Sequence, residues 1–209
     1  EDLARRDFTI NALALSLRLK EFGNLLDPND GLTDLNEKKI RIFHDMSFFD
    51  DPTRILRAVR FEQRFGFEIE EKTLFLLRSA LKQNAMDKLK GPRLWNEFSL
   101  IFREPCPERV LARLGELGVL RFIHPGIQFD HSKIETGEEI RRGYRWFISR
   151  FTGKHAQIEG AYLLNLIRDL NPADVKKMSQ RFSWRKEDLE QATAYLKKIE
   201  KKTAGIFTT

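Results

Sequence analysis

One run of residues constrains this chain more than any other: Phe49-Asp50-Asp51-Pro52-Thr53-Arg54-Ile55-Leu56-Arg57-Ala58-Val59-Arg60-Phe61. Pro52 has a fixed φ and no N–H to lose, so it suits the first position of a helix. Asp51 before it can accept from the open N–H groups, a cap worth about 1 kcal/mol. Both aspartates sit at the positive end of the helix dipole. The helix is predicted to run to Phe65, with Gly66 as its C-terminal stop. On a helical wheel Ile55, Leu56 and Val59 share one face, Arg57, Arg60 and Arg64 gather opposite, and Arg54 lies at the border. Asp50 and Asp51 precede Arg54 by one helical turn, so both can meet its guanidinium. A carboxylate accepts and a guanidinium is a planar fork of donors. The stretch therefore fits two readings, a reader of nucleobase edges backed by arginines for phosphates, or a well-capped helix with a solvated basic face.

At 209 residues the chain can bury a substantial core, as one elongated domain or two small ones. With 17 phenylalanines it is not a disordered composition. The net charge of +6, from 37 basic and 31 acidic residues, is compatible with a nucleic-acid partner without being diagnostic of one. Cys106 is the single cysteine, which excludes a disulfide framework and a thiolate metal site and points to a reducing, cytoplasmic setting. No apolar run approaches the ~18 residues of a membrane span, and no signal peptide is visible. The chain opens Glu1-Asp2-Leu3 directly into a patterned segment, as expected of a piece of something longer.

Residues 2–18 interleave Leu3, Phe8, Ile10, Leu13, Leu15 and Leu17 with Arg5-Arg6-Asp7, and Asn11 to Leu15 favours helix. Two arginines and an aspartate ahead of a helix can bind an anion or a ribose, or be an N-terminal charge cluster with a cap. Asp27-Pro28-Asn29-Asp30-Gly31 is a strong turn signal. Ile40-Arg41-Ile42-Phe43 alternates as a short strand does, with no second convincing strand to pair it. From Asp50 onward the pattern is helical throughout. Helices are expected over 70–81, from Gly91-Pro92, from Pro107 to near Gly118, and near 133–151, 155–170, 172–181 and 186–202, with a frayed tail at 203–209. Arg141, Arg142, Arg145 and Arg150, then Lys176, Lys177, Arg181, Arg185 and Lys186, give these helices basic faces that ordinarily face solvent.

The chain carries no Gly-Lys-Ser/Thr loop, no Gly-x-Gly-x-x-Gly, no Asp-x-Asp and no Gly-x-Ser-x-Gly elbow. His44, His124, His131 and His155 are scattered, so no histidine-based metal site is expected. With Asp50 and Asp51 committed to a helix start, no metal-binding pair of carboxylates can be assembled, and no catalytic residue is expected within the chain.

Taken together, several blocks resemble the tRNA nucleotidyltransferase and bacterial poly(A) polymerase family, class II. Arg5-Arg6-Asp7-Phe8-Thr9-Ile10-Asn11-Ala12 is identical to the family's RRDFTINA block. Asp27-Pro28 through Gly31-Leu32-Thr33-Asp34-Leu35, with Ile40-Arg41, is similar to its DPxxGxxDL…IR segment. Phe49 to Phe61 resembles its EDPxRxLRAxRF block, and Arg93 with Glu97 a weaker RxxxE block. The likeness covers roughly residues 1–126.

The resemblance implies a mainly α chain, a helical neck and body array with a small α/β remnant of the nucleotidyltransferase head at its N-terminus. It divides as 1–48 head, 49–126 neck and 127–209 body. It implies that Arg5, Arg6, Asp7 and Asn11 bind the incoming nucleotide, with Asp7 accepting the 2′-OH and Arg6 beside the sugar or phosphates. Asp51 and Arg54 would read the Watson–Crick edge of CTP or ATP, with Asp50 orienting Arg54 and Arg57 and Arg60 near phosphates or the helix–head contact. Arg93, Arg141, Arg142 and Arg145 are the candidate RNA contacts. Asp50 stands where the family has Glu, one methylene longer, which loosens its expected grip on Arg54. The family's Mg²⁺-binding Asp-x-Asp is expected before residue 1, so the chain by itself is expected to be inactive. The implied whole is a template-independent enzyme adding C and/or A to tRNA 3′ ends. The alternatives are a noncatalytic RNA-binding helical module and a helical interaction domain for acidic partners.

Overall fold

The computed structural model describes residues 3–151, 158–190, 192–194 and 196. The fold is mainly α, and contacts divide the chain between Lys88 and Leu89, inside the expected neck segment, into two units.

The first unit is built on local signals. Asp51 is extended (φ −141°, ψ 96°), Pro52 already has helical dihedrals (φ −62°), and α3 runs Thr53–Phe65. Gly66 ends it in the left-handed region (φ 65°), where a side chain would be strained. Phe8, Ile40, Phe48, Ile55, Leu56, Val59 and Leu77 are fully buried and form the core against which α3 lies. Around it are α1 (Gly31–Asn36), α2 (Ser47–Asp50) and α4 (Glu71–Lys82).

Two expectations about strands are corrected here. The strand expected over Ile40–Phe43 forms at Lys39–Ile40 (β3) and does have a partner, pairing in parallel with Glu68–Ile69 (β4) inside the stretch expected to be helical throughout. The stretch expected to be helical at Asn11–Leu15 gives instead a 3-10 turn at Thr9–Asn11 and then β1 (Ala14–Leu15), antiparallel to β2 (Leu25–Leu26). Helix propensity is a few tenths of a kcal/mol per residue, and tertiary pairing overrides it.

The Asp27 to Arg41 block is a clamp on the N-terminal segment. Asp27 accepts from the backbone N–H groups of Gly31 (2.7 Å) and Leu32 (2.9 Å) at the start of α1. The bond from Leu32 foremost, offsetting burial and joined by Gly31 and Asn29, holds its carboxyl below the usual range. Asp34 is 3% exposed and takes the Thr9 hydroxyl (2.7 Å) and the Arg41 Nε (3.0 Å). Thr9 N in turn donates to the Arg41 carbonyl (3.0 Å), which fixes the backbone just after Asp7.

The second unit is a helical array of α5 (Gly91–Phe102), α6 (Pro107–Glu116), α7 (His131–Arg150), α8 (Ile158–Ile167) and α9 (Pro172–Phe182). Helix α7 packs on α6 and α8, and α5 on α6, α8 and α9. Rings join α5 to α9: Trp95 and Phe98 each lie 5.4 Å from Phe182 in edge-to-face contact, a favoured arrangement of aromatic quadrupoles. Proline opens α5, α6 and α9, as the breaks at Gly91-Pro92, Pro107 and Asn171-Pro172 predict. The chain is helical again over 186–190, whereas the expected end of that helix, the tail at 203–209 and His155 lie outside the described residues. Among the described residues no helix is long and apolar enough to cross a membrane.

Candidate functional site

A cleft of about 510 Å³ opens in the first unit, lined by Arg5, Arg6, Asp7, Asn11, Asp51, Arg54, Arg57 and Phe61. Two separated stretches of sequence meet there, the 3-10 turn after Asp7 and the first two turns of α3. Four arginines face two carboxylates, a balance suited to an anionic ligand.

Asp7 is the centre of the wall. Its Oδ1 accepts from the Phe8 N–H (3.0 Å) and Asn11 Nδ2 (2.9 Å), and its Oδ2 from Arg57 Nε (2.6 Å). A carboxylate offers roughly four lone-pair positions. Among the described residues three donors occupy them, which leaves one position for a donor in the cleft. Asn11, which sequence spacing does not connect to Arg57, is thereby tied to it through Asp7.

At the mouth of α3, Asp51 Oδ1 accepts from the Thr53 N–H (3.1 Å) and the Thr53 hydroxyl (2.7 Å), as a helix cap does. One turn on, Arg54 Nη1 donates to the Ser47 carbonyl (3.4 Å) and to the Ser47 hydroxyl. Ser47 is fully buried, so it fixes one corner of the fork from below. Among the described residues the Nε and Nη2 donors of Arg54 have no hydrogen-bond partner, and Arg54 lines the cleft. Side by side, Asp51 and Arg54 present an acceptor and donors to one space.

Two of the expected residues do not line the cleft. Asp50, expected to orient Arg54, ends α2 with its side chain 59% exposed and faces His44 Nε2 at 3.7 Å. The extended residue between α2 and α3 breaks the helical register that would have put Asp50 over Arg54, and Ser47 holds that arginine instead. Arg60 does not line the cleft. It is buried, with its guanidinium 4.8 Å from the Phe61 ring centre, a cation–π contact.

Phe61 and Ser47 were missed in the sequence. Phe61 reads there as an ordinary core position, yet it floors the cleft, with Arg57 over its ring at 5.2 Å and Phe8 edge-on at 5.8 Å. Ser47 carries no signal because its link to Arg54 crosses a break between two helices.

In the second unit the expected RNA contacts separate into two kinds. Arg93, Arg142 and Arg145 are exposed. Arg141 is turned inward, its Nε 2.9 Å from Glu108 Oε1, and Glu108 is 1% exposed. The Tyr162 hydroxyl lies 2.9 Å from both Glu108 Oε2 and the Gly137 carbonyl, sharing its proton between them, and burial foremost pushes that phenol upward in pKa. Arg141 is thus a structural counter-ion, not part of a solvated face.

No group of three or more His, Cys, Asp or Glu side chains among the described residues could hold a metal ion. Asp7 and Asp51 are each engaged by two or more protein donors. Among the described residues the donor set does not fit a Mg²⁺ site.

Comparison with known proteins gives these arrangements a context. A family model described as "Poly A polymerase head domain" matches residues 1–41, and one described as "Probable RNA and SrmB-binding site of polymerase A" matches residues 66–130. The A-adding tRNA nucleotidyltransferase of Geobacter sulfurreducens is 43% identical over 169 residues, covering 81% of this chain and 19% of that protein. Its counterpart in Halalkalibacterium halodurans is 35% identical over 198 residues, covering 91% of this chain and 45% of that protein. Among solved structures, a CCA-adding enzyme in complex with ATP matches at a TM-score of 0.85 and 36% identity, over 99% of this chain and 48% of the other. The Thermotoga maritima CCA-adding enzyme complexed with tRNA matches at 0.83 and 35% identity, over 99% and 49%. The chain therefore spans about half the length of these structures, and between a fifth and a half of these two curated relatives. With two matched family models, relatives above 30% identity and a shared fold, the chain belongs to the tRNA nucleotidyltransferase and poly(A) polymerase family.

Proposed function

We propose that this chain is the nucleotide-selecting and RNA-binding part of an enzyme that adds C and/or A to the 3′ end of tRNA, using CTP and ATP as substrates. The observation that carries this is the pairing of Asp51 and Arg54 in one cleft with the Asp7–Asn11–Arg57 cluster. Cytosine and adenine share an exocyclic amino donor beside an unprotonated ring nitrogen. Asp51 accepts from that amino group and Arg54 donates to that nitrogen. Uracil and guanine present the reverse, a carbonyl beside a ring N–H, and leave both side chains unmatched. A good bidentate pair is worth about 1–3 kcal/mol of discrimination. Asp7 takes the ribose hydroxyl on its remaining lone pair, and Arg5 and Arg6 lie along the phosphates.

The tRNA 3′-hydroxyl attacks the α-phosphate and pyrophosphate leaves. This chain's residues contribute position and charge to that step, and any Mg²⁺ the whole reaction uses would be held by carboxylates other than Asp7 and Asp51. Structures of relatives solved with ATP, CTP and tRNA support the substrate assignment.

The test is addition. Expressed with whatever coding sequence precedes it, the protein is assayed on tRNAs ending before CCA, after C and after CC, with each of the four nucleoside triphosphates. Incorporation of C or A at the 3′ end, and not of U or G, is expected. Tight tRNA binding with no incorporation of any nucleotide would overturn the proposal in favour of a noncatalytic RNA-binding module.

A further inference from the structure

The exposed side of α7 changes character along its length. Its first half carries Glu135, Glu138 and Glu139 at the surface, its second half Arg142, Arg145 and Arg150. Among the described residues these three arginines have no hydrogen-bond or ion-pair partner. Between them stands Trp146, 59% exposed, touching Phe151 edge-on at 6.0 Å. Arg142, Trp146 and Arg150 follow one another at intervals of four, so they share one side of the helix, with Arg145 one turn from Arg142.

Interaction with the helix dipole accounts for cations near a C-terminus. It does not account for a large indole left mostly in water among them. A planar aromatic bordered by exposed guanidinium groups matches a ligand with planar faces and closely spaced negative charge. An unpaired nucleobase between two phosphates has both features, and stacking on an aromatic ring is how unpaired bases are ordinarily held. An acidic protein supplies the charge without the flat face. Helix α7 also lies outside the segment 66–130 that matches the family's RNA-binding region.

We propose that the C-terminal half of α7 is an additional RNA contact, in which Trp146 stacks on an unpaired base and Arg142, Arg145 and Arg150 hold the flanking phosphates. This rests on the RNA-binding part of the function proposed above.

Binding of the 209-residue chain to a tRNA transcript lacking its CCA end, to a fully paired RNA duplex of equal length and to polyglutamate is measured over a range of salt. The unaltered chain binds the tRNA with strong salt dependence. Trp146→Ala loses about tenfold in affinity for the tRNA, the loss of one stacked base, and nothing for the duplex. Trp146→Phe keeps most of the affinity, and Arg142→Ala with Arg150→Ala flattens the salt dependence. Because these side chains are exposed, each variant is expected to melt with the parent. Equal tRNA affinity in Trp146→Ala and the parent overturns the stacking site and leaves the RNA reading standing. A matching loss of polyglutamate binding in Trp146→Ala points to an acidic protein partner and overturns the RNA assignment. If the unaltered chain binds no tRNA even at low salt, the RNA reading itself falls, and this inference with it.

Discussion

Two arginine–carboxylate pairs, one in each unit, look alike on paper. Arg57 Nε meets Asp7 Oδ2 at 2.6 Å and Arg141 Nε meets Glu108 Oε1 at 2.9 Å, each arginine projecting from a helix with a basic face. The difference lies in what else reaches the carboxylate. Asp7 keeps a lone pair toward an open cleft rimmed by further arginines. Glu108 is shut in by Tyr162 and is almost without exposure. The first pair is a half-finished coordination shell, the second a closed one. Sequence shows the arginines of both. Only the remaining acceptor capacity tells a carboxylate open to a ligand from one that is closed.

The sharpest way to break this comparison is Arg141→Ala. It leaves Glu108 buried without its counter-ion and is expected to cost about 3 kcal/mol in stability, as broken buried pairs do. Denaturant unfolding measures the loss, and a cost near zero would mean that Arg141 belongs to the solvated face after all.

Arg54→Ala comes next. It is expected to reduce discrimination for CTP and ATP over UTP and GTP by about tenfold, with little change in tRNA affinity. Ser47→Ala should give a smaller loss in the same direction, since it frees the corner of the fork that Ser47 now holds. Competition binding reads both, and unaltered discrimination in Arg54→Ala would remove that residue from base selection.

The smallest effect concerns a carboxylate of neither kind. Glu70 caps α4 by accepting from the Thr73 N–H and hydroxyl, both at 2.8 Å. Burial pushes its carboxyl up, but those bonds outweigh burial and hold it below its ordinary value of 4.5. A lowered acid contributes stability above its unfolded value and loses it as pH falls through its folded one. Relative to Glu70→Gln, the unaltered chain should therefore gain about 1 kcal/mol above pH 4.5. Further into acid the two stability curves should converge, whereas a constant gap would show that the cap does not titrate.

What was legible in the sequence was local. The start at Asp51-Pro52 and the stop at Gly66 hold because they depend on a proline, an adjacent acceptor and a residue free to take positive φ. The proline starts of the second unit hold for the same reason. The pairing of Lys39–Ile40 with Glu68–Ile69 was illegible, because a two-residue strand has almost no pattern of its own and its partner is distant along the chain. The gathering of Arg5, Arg6, Asp7, Asn11, Asp51, Arg54 and Arg57 around one cleft could be expected only from resemblance, since no spacing rule joins the two stretches. Asp50 and Arg141 went the other way. Each has the residue type for the expected role, but a break between helices and a buried glutamate decide their partners.

Gly31 gives the cleft an unexpected vulnerability. A methyl group at that position would lie 2.3 Å from the Thr9 carbonyl oxygen, too close for any real structure. Thr9 cannot retreat easily, because Asp34 and Arg41 hold it, and Asp7 lies two residues away along the same backbone. A single added carbon on the first residue of α1, which does not line the cleft, would thus be transmitted as a shift of the wall that carries Asp7. Variation that would disable the nucleotide binding proposed for this cleft need not fall on any residue that lines it.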